Sequence, residues 1–231
     1  MDILGFIGGV GPESTIDYYR WLITLYREQH PDGSYPRVII NSIDLSRVVR
    51  FIEAGDLPGL TAHLVREVAR LAAAGATVGL ITANTPHIVF DGVRREAAIP
   101  LVSIVEATCE EAQRLGLSRV GLIGTRFTMQ GRFYPEVFHR AGMSLVVPPP
   151  EEQVWIHDKY MNELVKGQFL PATRDRLLEI VDRLRVGEGI EGLILGGTEL
   201  PLILRGAPDG GIPFLDTAKI HVKRALAQVS L

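Results

Sequence analysis

The sequence predicts an α/β protein built as two similar halves, each around a parallel sheet. Residues 77–87 (TVGLITANTPH) and 191–201 (EGLILGGTELP) share one pattern: a buried strand, small and polar residues, then a helix start. Residues 5–8 (GFIG) and 121–124 (GLIG) form a second repeat with a similar offset, each followed by a loop and a helix. We therefore expect two flavodoxin-like halves related by a pseudo-twofold axis, with a ligand site in the cleft between them at the strands' carboxyl ends.

Short apolar strand patterns alternate along the chain with longer patterns of helical period, which is typical of parallel sheets. Strands are predicted at residues 3–8, 37–42, 77–82, 100–104, 119–123, 143–147, 191–195 and 212–215. Helices are predicted at residues 13–28, 57–74, 87–96, 105–116, 130–141, 152–167, 172–186 and 216–229. The boundaries depend on prolines at helix starts and on glycines after helix ends: Pro12, Pro58, Pro171, Gly75, Gly116 and Gly142.

A chain of 231 residues can form two domains of ordinary size. We predict that residues 1–100 and 208–231 form the first domain and that residues 101–207 form the second. The last strand and helix, residues 213–231, are thus expected to return to the first half.

Composition excludes several classes of function. With 46% hydrophobic residues and a net charge of −3, the chain can bury a core and has no excess of basic residues for nucleic acid. It contains no apolar run of eighteen residues and no signal-like start, which predicts a cytoplasmic protein without a membrane partner. The single cysteine, Cys109, has helical spacing with Val105 and Ala112, as expected of a core thiol.

The loop at residues 8–15 (GGVGPEST) resembles a dinucleotide fingerprint only superficially, because Pro12 and Glu13 intrude and the third glycine is absent. A tight turn that needs positive φ also explains its glycines. The other interpretation is a small-anion site, because helices are expected to begin just after four loop positions and their N-termini favour carboxylates. These positions are Gly11, Ala83, Thr125 and Gly197.

Taken together, these motifs resemble the aspartate/glutamate racemase family of cofactor-independent amino-acid racemases. The resemblance covers essentially the whole chain and rests on residues 8–15, 84–87 (NTPH), 124–134 (with Gly124-Thr125, Thr128-Met129 and Phe133-Tyr134) and 196–201 (GGTELP). It implies two flavodoxin-like domains, a homodimer, an acidic amino acid or dicarboxylate as ligand, and no need for pyridoxal phosphate or a metal. In such racemases two cysteines, one before the Asn-Thr motif and one before the Thr-Glu-Leu motif, exchange protons with the substrate's α-carbon.

This sequence departs from the family pattern at both catalytic positions, where Ala83 and Gly197 stand in place of the cysteines. Neither residue can transfer a proton, and a positioned acid or base commonly contributes about 10²–10⁴-fold in rate. Two-thiol racemisation is therefore not expected. The remaining explanations are engineered inactivation, a natural relative that binds without catalysing, and a natural relative that uses other groups.

The family's carboxylate-binding arginine aligns with Arg47, whose guanidinium can hold a carboxylate through two hydrogen bonds. Arg50, one turn further along, competes for that role, and a solvated helix residue would look the same. The family's substrate lysine aligns with Lys166, which can equally be a helix-end lysine that favours the dipole.

The resemblance gives further binding positions to Asn84, Thr85, Thr125 and Thr198, which could donate to the ligand's α-carboxylate. The same side chains could instead cap helices, and both roles are compatible.

Glu199 and His87 are the titratable residues nearest the lost thiols and are possible substitutes for them. The family's equivalent residues mainly orient loops, so a structural role is favoured for both. Asp44 and Glu13 are weaker candidates.

Three functions stay open: a racemase-type isomerase, a non-catalytic carboxylate binder, and a different isomerase or lyase-type reaction on a small carboxylic acid.

Overall fold

The computed structural model describes residues 2–206 and 211–229. The chain forms two compact units. The first contains the residues up to Ile104 together with those from Ala218 onward, and the second runs from Val105 to Thr217.

The strands are Leu4–Gly8 (β1), Val38–Ser42 (β2), Val78–Ile81 (β3), Leu101–Val102 (β4), Arg119–Gly124 (β5), Ser144–Val146 (β6), Gly192–Gly196 (β7) and Phe214–Asp216 (β8). They form two parallel sheets with the orders β2-β1-β3-β4 and β6-β5-β7-β8. The two sheets thus share one topology, and the predicted fold class of two parallel α/β halves is confirmed. Both sheets bury their central strands, as their continuous apolar sequences predict.

The α-helices are Pro12–Gln29 (α1), Leu45–Glu53 (α2), Leu57–Ala73 (α3), Phe90–Glu96 (α4), Ile104–Arg114 (α5), Arg126–Gln130 (α6), Phe133–Arg140 (α7), Pro150–Asn162 (α8), Pro171–Glu188 (α9), Leu200–Leu204 (α10) and Thr217–Leu226 (α11). Two 3₁₀ turns, Thr85–Val89 and Leu164–Lys166, precede α4 and follow α8. The three glycines predicted at helix ends have positive φ: 102° at Gly75, 72° at Gly116 and 78° at Gly142.

In the first unit, the long helix α1 packs its Tyr18 and Leu22 side chains against Phe6 of β1. Residues of α11, including Val222, belong to the same buried cluster. On the other side of this sheet, α3 contributes Leu60, Leu64 and Val68 to a second cluster. The core of the second unit joins α8, α9 and β7. These clusters fix the strand ends at which the candidate site residues lie.

The predicted domain boundaries are wrong at both points where the chain passes from one unit to the other. Residues 101–102, placed in the second half, form β4 and pair with β3 of the first sheet. The strand predicted to return to the first half stays in the second, because Leu215 and Asp216 of β8 pair with β7. The fourth strand of each sheet, β4 or β8, therefore stays in its own unit. The helix that follows it, α5 or α11, belongs to the other unit. The boundary at 207/208 lies outside the described residues.

All eight predicted strands are present, whereas three helices were missed: α2, α6 and α10. Two of these have only five residues, too few for a clear helical period. No helix in the described ranges is long and apolar enough to cross a membrane.

Candidate functional site

The loop between β1 and α1 is closed by its own hydrogen bonds. The Gly9 N–H donates to Oγ1 of Thr15 at 2.9 Å, and that hydroxyl donates to the carbonyl of Gly11 at 3.0 Å. Gly9 has φ 79° and Gly11 has φ 103°. A Cβ atom at Gly9 would also lie 2.3 Å from the carbonyl oxygen of Ile43. These glycines therefore serve a tight turn, as the alternative to a dinucleotide fingerprint predicted.

Ala83 follows β3 in a loop whose backbone is anchored on both sides. Oγ1 of Thr82 donates to the carbonyl of Ile7 at 2.9 Å. The Ala83 carbonyl accepts a hydrogen bond from Nδ1 of His87 at 2.9 Å, and the Asn84 carbonyl accepts one from the His87 N–H at 2.9 Å. Asn84 is buried and Thr85 half-buried. The loop thus has a fixed shape before any ligand binds.

His87 uses both ring nitrogens within the protein. Because Nδ1 donates to Ala83, Nε2 must accept, and it receives the N–H of Ile104 at 3.2 Å. Burial, and secondarily His221, lower the pKa of His87 to about 3. The ring is therefore neutral at physiological pH and braces the Ala83 loop against the start of α5. This arrangement matches the structural role favoured for His87 over proton transfer.

In the second unit, Thr125 caps α6 in the way the capping alternative predicted. Its Oγ1 accepts the Thr128 N–H at 3.2 Å and lies 3.2 Å from the Thr128 hydroxyl. The backbone N–H groups next to a capping residue can still donate to a ligand, so helix capping and ligand binding by Thr125 stay compatible.

Gly197 follows β7 and packs directly against Tyr160 of α8. A Cβ atom at residue 197 would lie 2.3 Å from Cε2, 2.8 Å from Cζ and 2.9 Å from the phenol oxygen of Tyr160. The φ angle of Gly197 is not positive. Glycine is thus required here by space and not by backbone conformation, because the Tyr160 ring occupies the volume that any side chain at 197 would need.

The Tyr160 hydroxyl donates to Oε2 of Glu199, which also accepts from Oγ1 of Thr198 at 3.3 Å. All three side chains are buried. Burial, followed by the Glu199 charge, raises the pKa of Tyr160 well above its ordinary value. The phenol therefore keeps its proton and holds the Glu199 carboxylate in place. Glu199 and Thr198, both predicted site residues, are brought together with Tyr160.

The predicted cationic residues Arg47, Arg50 and Lys166 are exposed. Arg47 is in the first turn of α2, which Asp44 caps by accepting the Ser46 N–H at 2.8 Å, and Arg50 is one turn further along. Lys166 ends the 3₁₀ turn of the second unit, with Nζ 3.5 Å from Oδ1 of Asn162. Arg47 and Lys166 thus belong to different units.

Sequence reasoning missed Tyr160. Its position was within a predicted helix, and with Gln153 and Ile156 it forms the buried stripe of α8. That spacing could have marked Tyr160 as a buried residue whose hydroxyl needs a partner, although the partner itself follows only from the fold. The described residues contain no cluster of three or more His, Cys, Asp or Glu side chains that could hold a metal ion.

Comparison with known proteins settles the family. Residues 7–225 match the family model described as Asp/Glu/Hydantoin racemase. The chain belongs to this racemase family. The crystal structure of an aspartate racemase homologue from Pyrococcus horikoshii OT3 is 36% identical, covers 99% of both chains and has a TM-score of 0.83.

The chain also resembles two glutamate racemases, one over a shorter stretch and one with a lower sequence identity. The enzyme from Thermus thermophilus is 31% identical over 140 residues, which cover 57% of this chain and 48% of that enzyme. The match therefore spans about half of its length. Glutamate racemase from Francisella tularensis, solved in complex with D-glutamate, is 15% identical with a TM-score of 0.66 over 98% of this chain and 80% of that one, and shows the shared fold.

Proposed function

We propose that this racemase-family protein binds a small acidic amino acid or dicarboxylate and does not interconvert enantiomers by the two-thiol mechanism. The observation that carries the proposal is the packing of Tyr160 against Gly197. The ring fills the volume of a side chain at 197, and its hydroxyl is engaged with Glu199. The surroundings of residue 197 are thus adapted to the absence of a side chain, which favours a natural relative that lacks the family's two catalytic cysteines over engineered inactivation.

The remaining cysteine cannot replace the missing thiols. Cys109 is buried in α5, and burial, with the nearby charge of Glu110, raises its pKa to about 11. Because the thiolate is the proton acceptor in a thiol mechanism, a thiol with this pKa stays protonated and inactive at neutral pH. With Ala83 and Gly197 at the family's cysteine positions, no thiolate base is expected.

Ligand binding is supported by the residues that the family resemblance assigns to it. Arg47 and Lys166 supply cations, and the loops of Asn84, Thr85, Thr125 and Thr198 present backbone N–H groups near helix starts. The Francisella enzyme's complex with D-glutamate supports an acidic amino acid as the ligand class. By the same resemblance we expect a homodimer, a cytoplasmic location and independence of pyridoxal phosphate. Sedimentation equilibrium tests the first of these.

A second candidate function is one-sided proton transfer to a carboxylic acid, as in a lyase or another isomerase. The specific observation in its favour is the buried Tyr160–Glu199 pair, whose phenol oxygen lies 2.9 Å from the Cβ position of residue 197. In such a step, a substrate C–C bond would break with loss of carbon dioxide. The O–H bond of Tyr160 would then break as its proton forms a C–H bond at the resulting carbanion, leaving Tyr160 as a phenolate. The raised pKa of Tyr160 makes it a weak acid, so binding without catalysis is the preferred proposal.

Ligand titration with two readouts tests both candidates. Thermal unfolding is followed with D- and L-aspartate, D- and L-glutamate, malonate and succinate, and deuterium uptake at Cα is followed by NMR. Stabilisation by an acid without deuterium uptake supports the proposal. Uptake that disappears in Tyr160→Phe would support the second candidate instead. Absence of binding by all the acids would contradict both.

Arg47→Ala locates the ligand within the first unit. We expect it to weaken acid binding by about 1.5–3 kcal/mol, the usual contribution of hydrogen bonds to a charged group, since Arg47 is exposed in the free chain. Arg50→Ala is the matched comparison, and a loss of affinity in that variant alone would move the subsite to Arg50.

A further inference from the structure

His63 of α3 is a buried imidazole whose hydrogen-bonding capacity is unused. Its side chain is 4% exposed, and neither ring nitrogen has a hydrogen-bond partner among residues 2–206 and 211–229. Its nearest charged contact is Glu67, one turn along α3, with Oε1 3.5 Å from Nδ1. A buried polar side chain without a partner is costly, so an unmet group of this kind calls for a reason.

Glu67 is itself held firmly as a carboxylate. Nδ2 of Asn41 donates to its Oε2 at 2.8 Å, and Nη1 of Arg70 donates to both oxygens at 2.6 and 2.7 Å. Hydrogen bonds from Asn41 and Arg70 lower the pKa of Glu67 despite the opposing effect of burial. A fixed negative charge therefore faces the Nδ1 side of His63, which would stabilise a protonated ring.

Arg47 opposes that protonation. Arg47 and Phe51 are four residues apart and share one face of α2, and the Phe51 ring centroid lies 5.8 Å from that of His63. The other charged groups acting on His63 are Glu67, Arg66 and Arg70 of its own helix. Burial first, and the Arg47 charge second, lower the pKa of His63, whereas Glu67 raises it.

The Glu67 side chain beside His63 contacts the carboxyl end of β2 in the first sheet. Asn41 is the residue before the end of β2, and it contacts Glu67 of α3. His63 lies one turn closer than Glu67 to the start of α3. The helix α2, which carries the exposed Arg47, follows β2 and contacts His63 through Phe51. None of the ion pairs in the described ranges uses Arg47.

We propose that Arg47 and His63 form a proton-linked carboxylate subsite, in which the ligand carboxylate pairs with the guanidinium of Arg47 and accepts a hydrogen bond from Nε2 of protonated His63. This inference rests on the proposed carboxylate binding. A carboxylate on Arg47 cancels the positive charge that disfavours imidazolium, and Glu67 stabilises the new charge from the other side. Binding therefore takes up one proton from solvent, and by linkage the affinity rises as pH falls.

Two measurements on the full chain test the subsite. Calorimetry with malonate and aspartate, in buffers of different ionisation enthalpy between pH 6 and 8, gives the number of protons taken up. NMR of the His63 ring, with and without malonate, shows where the proton goes. We expect uptake approaching one proton, an affinity gain of up to about tenfold per pH unit on acidification, and a shift of the His63 ring to the imidazolium form.

His63→Gln should still bind the acids through Arg47 but lose proton uptake and the pH dependence of affinity. His139→Gln, which changes an exposed histidine of the second unit, is the matched control and should keep both. If His63→Gln fails to fold, the ring titration of the unaltered chain decides the question. Binding without proton uptake, or uptake that survives in His63→Gln, would overturn the subsite and leave the proposed function intact. Failure of all acids to bind would contradict the proposed function itself and the subsite with it.

Discussion

The backbone of Gly197 lies against the ring of Tyr160 so closely that a Cβ atom at residue 197 would be 2.3 Å from Cε2 of that ring. Because Tyr160 is buried and bonded to Glu199, it cannot move aside as an exposed side chain would. The size of residue 197 and the position of Tyr160 are therefore coupled. Introducing a cysteine at 197 would require Tyr160 to leave its place.

The first prediction concerns this coupling. Gly197→Ala should reduce the free energy of unfolding by about 1–3 kcal/mol, as overpacking of a buried site does. In a Tyr160→Ala background the same substitution should cost much less, because the clashing ring is gone. Urea denaturation of the two single variants and the double variant measures the interaction energy.

Gly187→Ala is the matched control for this cycle. Gly187 lies in α9, and a Cβ atom there would meet nothing within 4 Å. It should raise stability by about 0.5–1 kcal/mol, since alanine favours a helix over glycine. Additive effects of Gly197→Ala and Tyr160→Ala would show that the two positions are independent and would remove the observation on which the proposed function depends.

The second prediction concerns the two hydrogen bonds that join the His87 ring to Ala83 and Ile104. His87→Ala should reduce the free energy of unfolding by about 2–4 kcal/mol, because the Ala83 carbonyl and the Ile104 N–H each lose a buried partner. The exposed His139, changed to alanine, should alter stability by at most about 0.5 kcal/mol. Hydrogen exchange of the Ile104 amide reports the loss directly, and unchanged protection of that amide in His87→Ala would show that the brace does not hold the loop.

The third prediction concerns pH. Burial lowers the pKa of His87 to about 3 and that of His221 to about 4, both below the ordinary value of 6.5. His221 accepts from the Tyr18 hydroxyl at 2.9 Å and donates to the Val102 carbonyl at 2.9 Å, which fixes its neutral tautomer. The unfolded chain binds protons below pH 6.5 that the folded chain excludes, so stability is full above that pH and declines as pH falls towards 4.

Each of these histidines should contribute a slope of up to about 1.4 kcal/mol per pH unit within that window. Denaturation at a series of pH values between 7.5 and 5 measures it before most carboxylates titrate. His221→Gln should reduce the slope. A flat profile from pH 7.5 to 5 would mean that the buried rings accept protons without loss of folding.

The sequence predicted the sheets well and the packed neighbours poorly. All eight strands follow from short apolar runs, and the start of α1 follows from Pro12. The neighbour of Gly197 could not be predicted, since Tyr160 is distant in the chain and meets it only through packing. The assignment of β8 failed for a related reason, because a strand pattern does not specify which sheet edge it joins.

At residue 83, part of the site could be predicted from the sequence and part required the structure. By family resemblance, Ala83 aligns with one of the two cysteine positions of such racemases, and an alanine side chain cannot transfer protons. The loop geometry that surrounds it, with His87 bonded to the Ala83 carbonyl, required the structure. The expected structural role of His87 followed from resemblance, while its tautomer followed only from the two hydrogen bonds.

We expect this chain to bind an acidic amino acid without interconverting its enantiomers. The most direct measurement incubates L-aspartate and L-glutamate, at concentrations that stabilise the protein against thermal unfolding, and follows the D-enantiomers by chiral chromatography. We predict stabilisation with no detectable D-enantiomer, because Ala83 and Gly197 supply no thiol and the buried Cys109 stays protonated. Interconversion that co-purifies with the protein and is abolished in Tyr160→Phe or Glu199→Gln would contradict it, and would give the Tyr160–Glu199 pair the catalytic role.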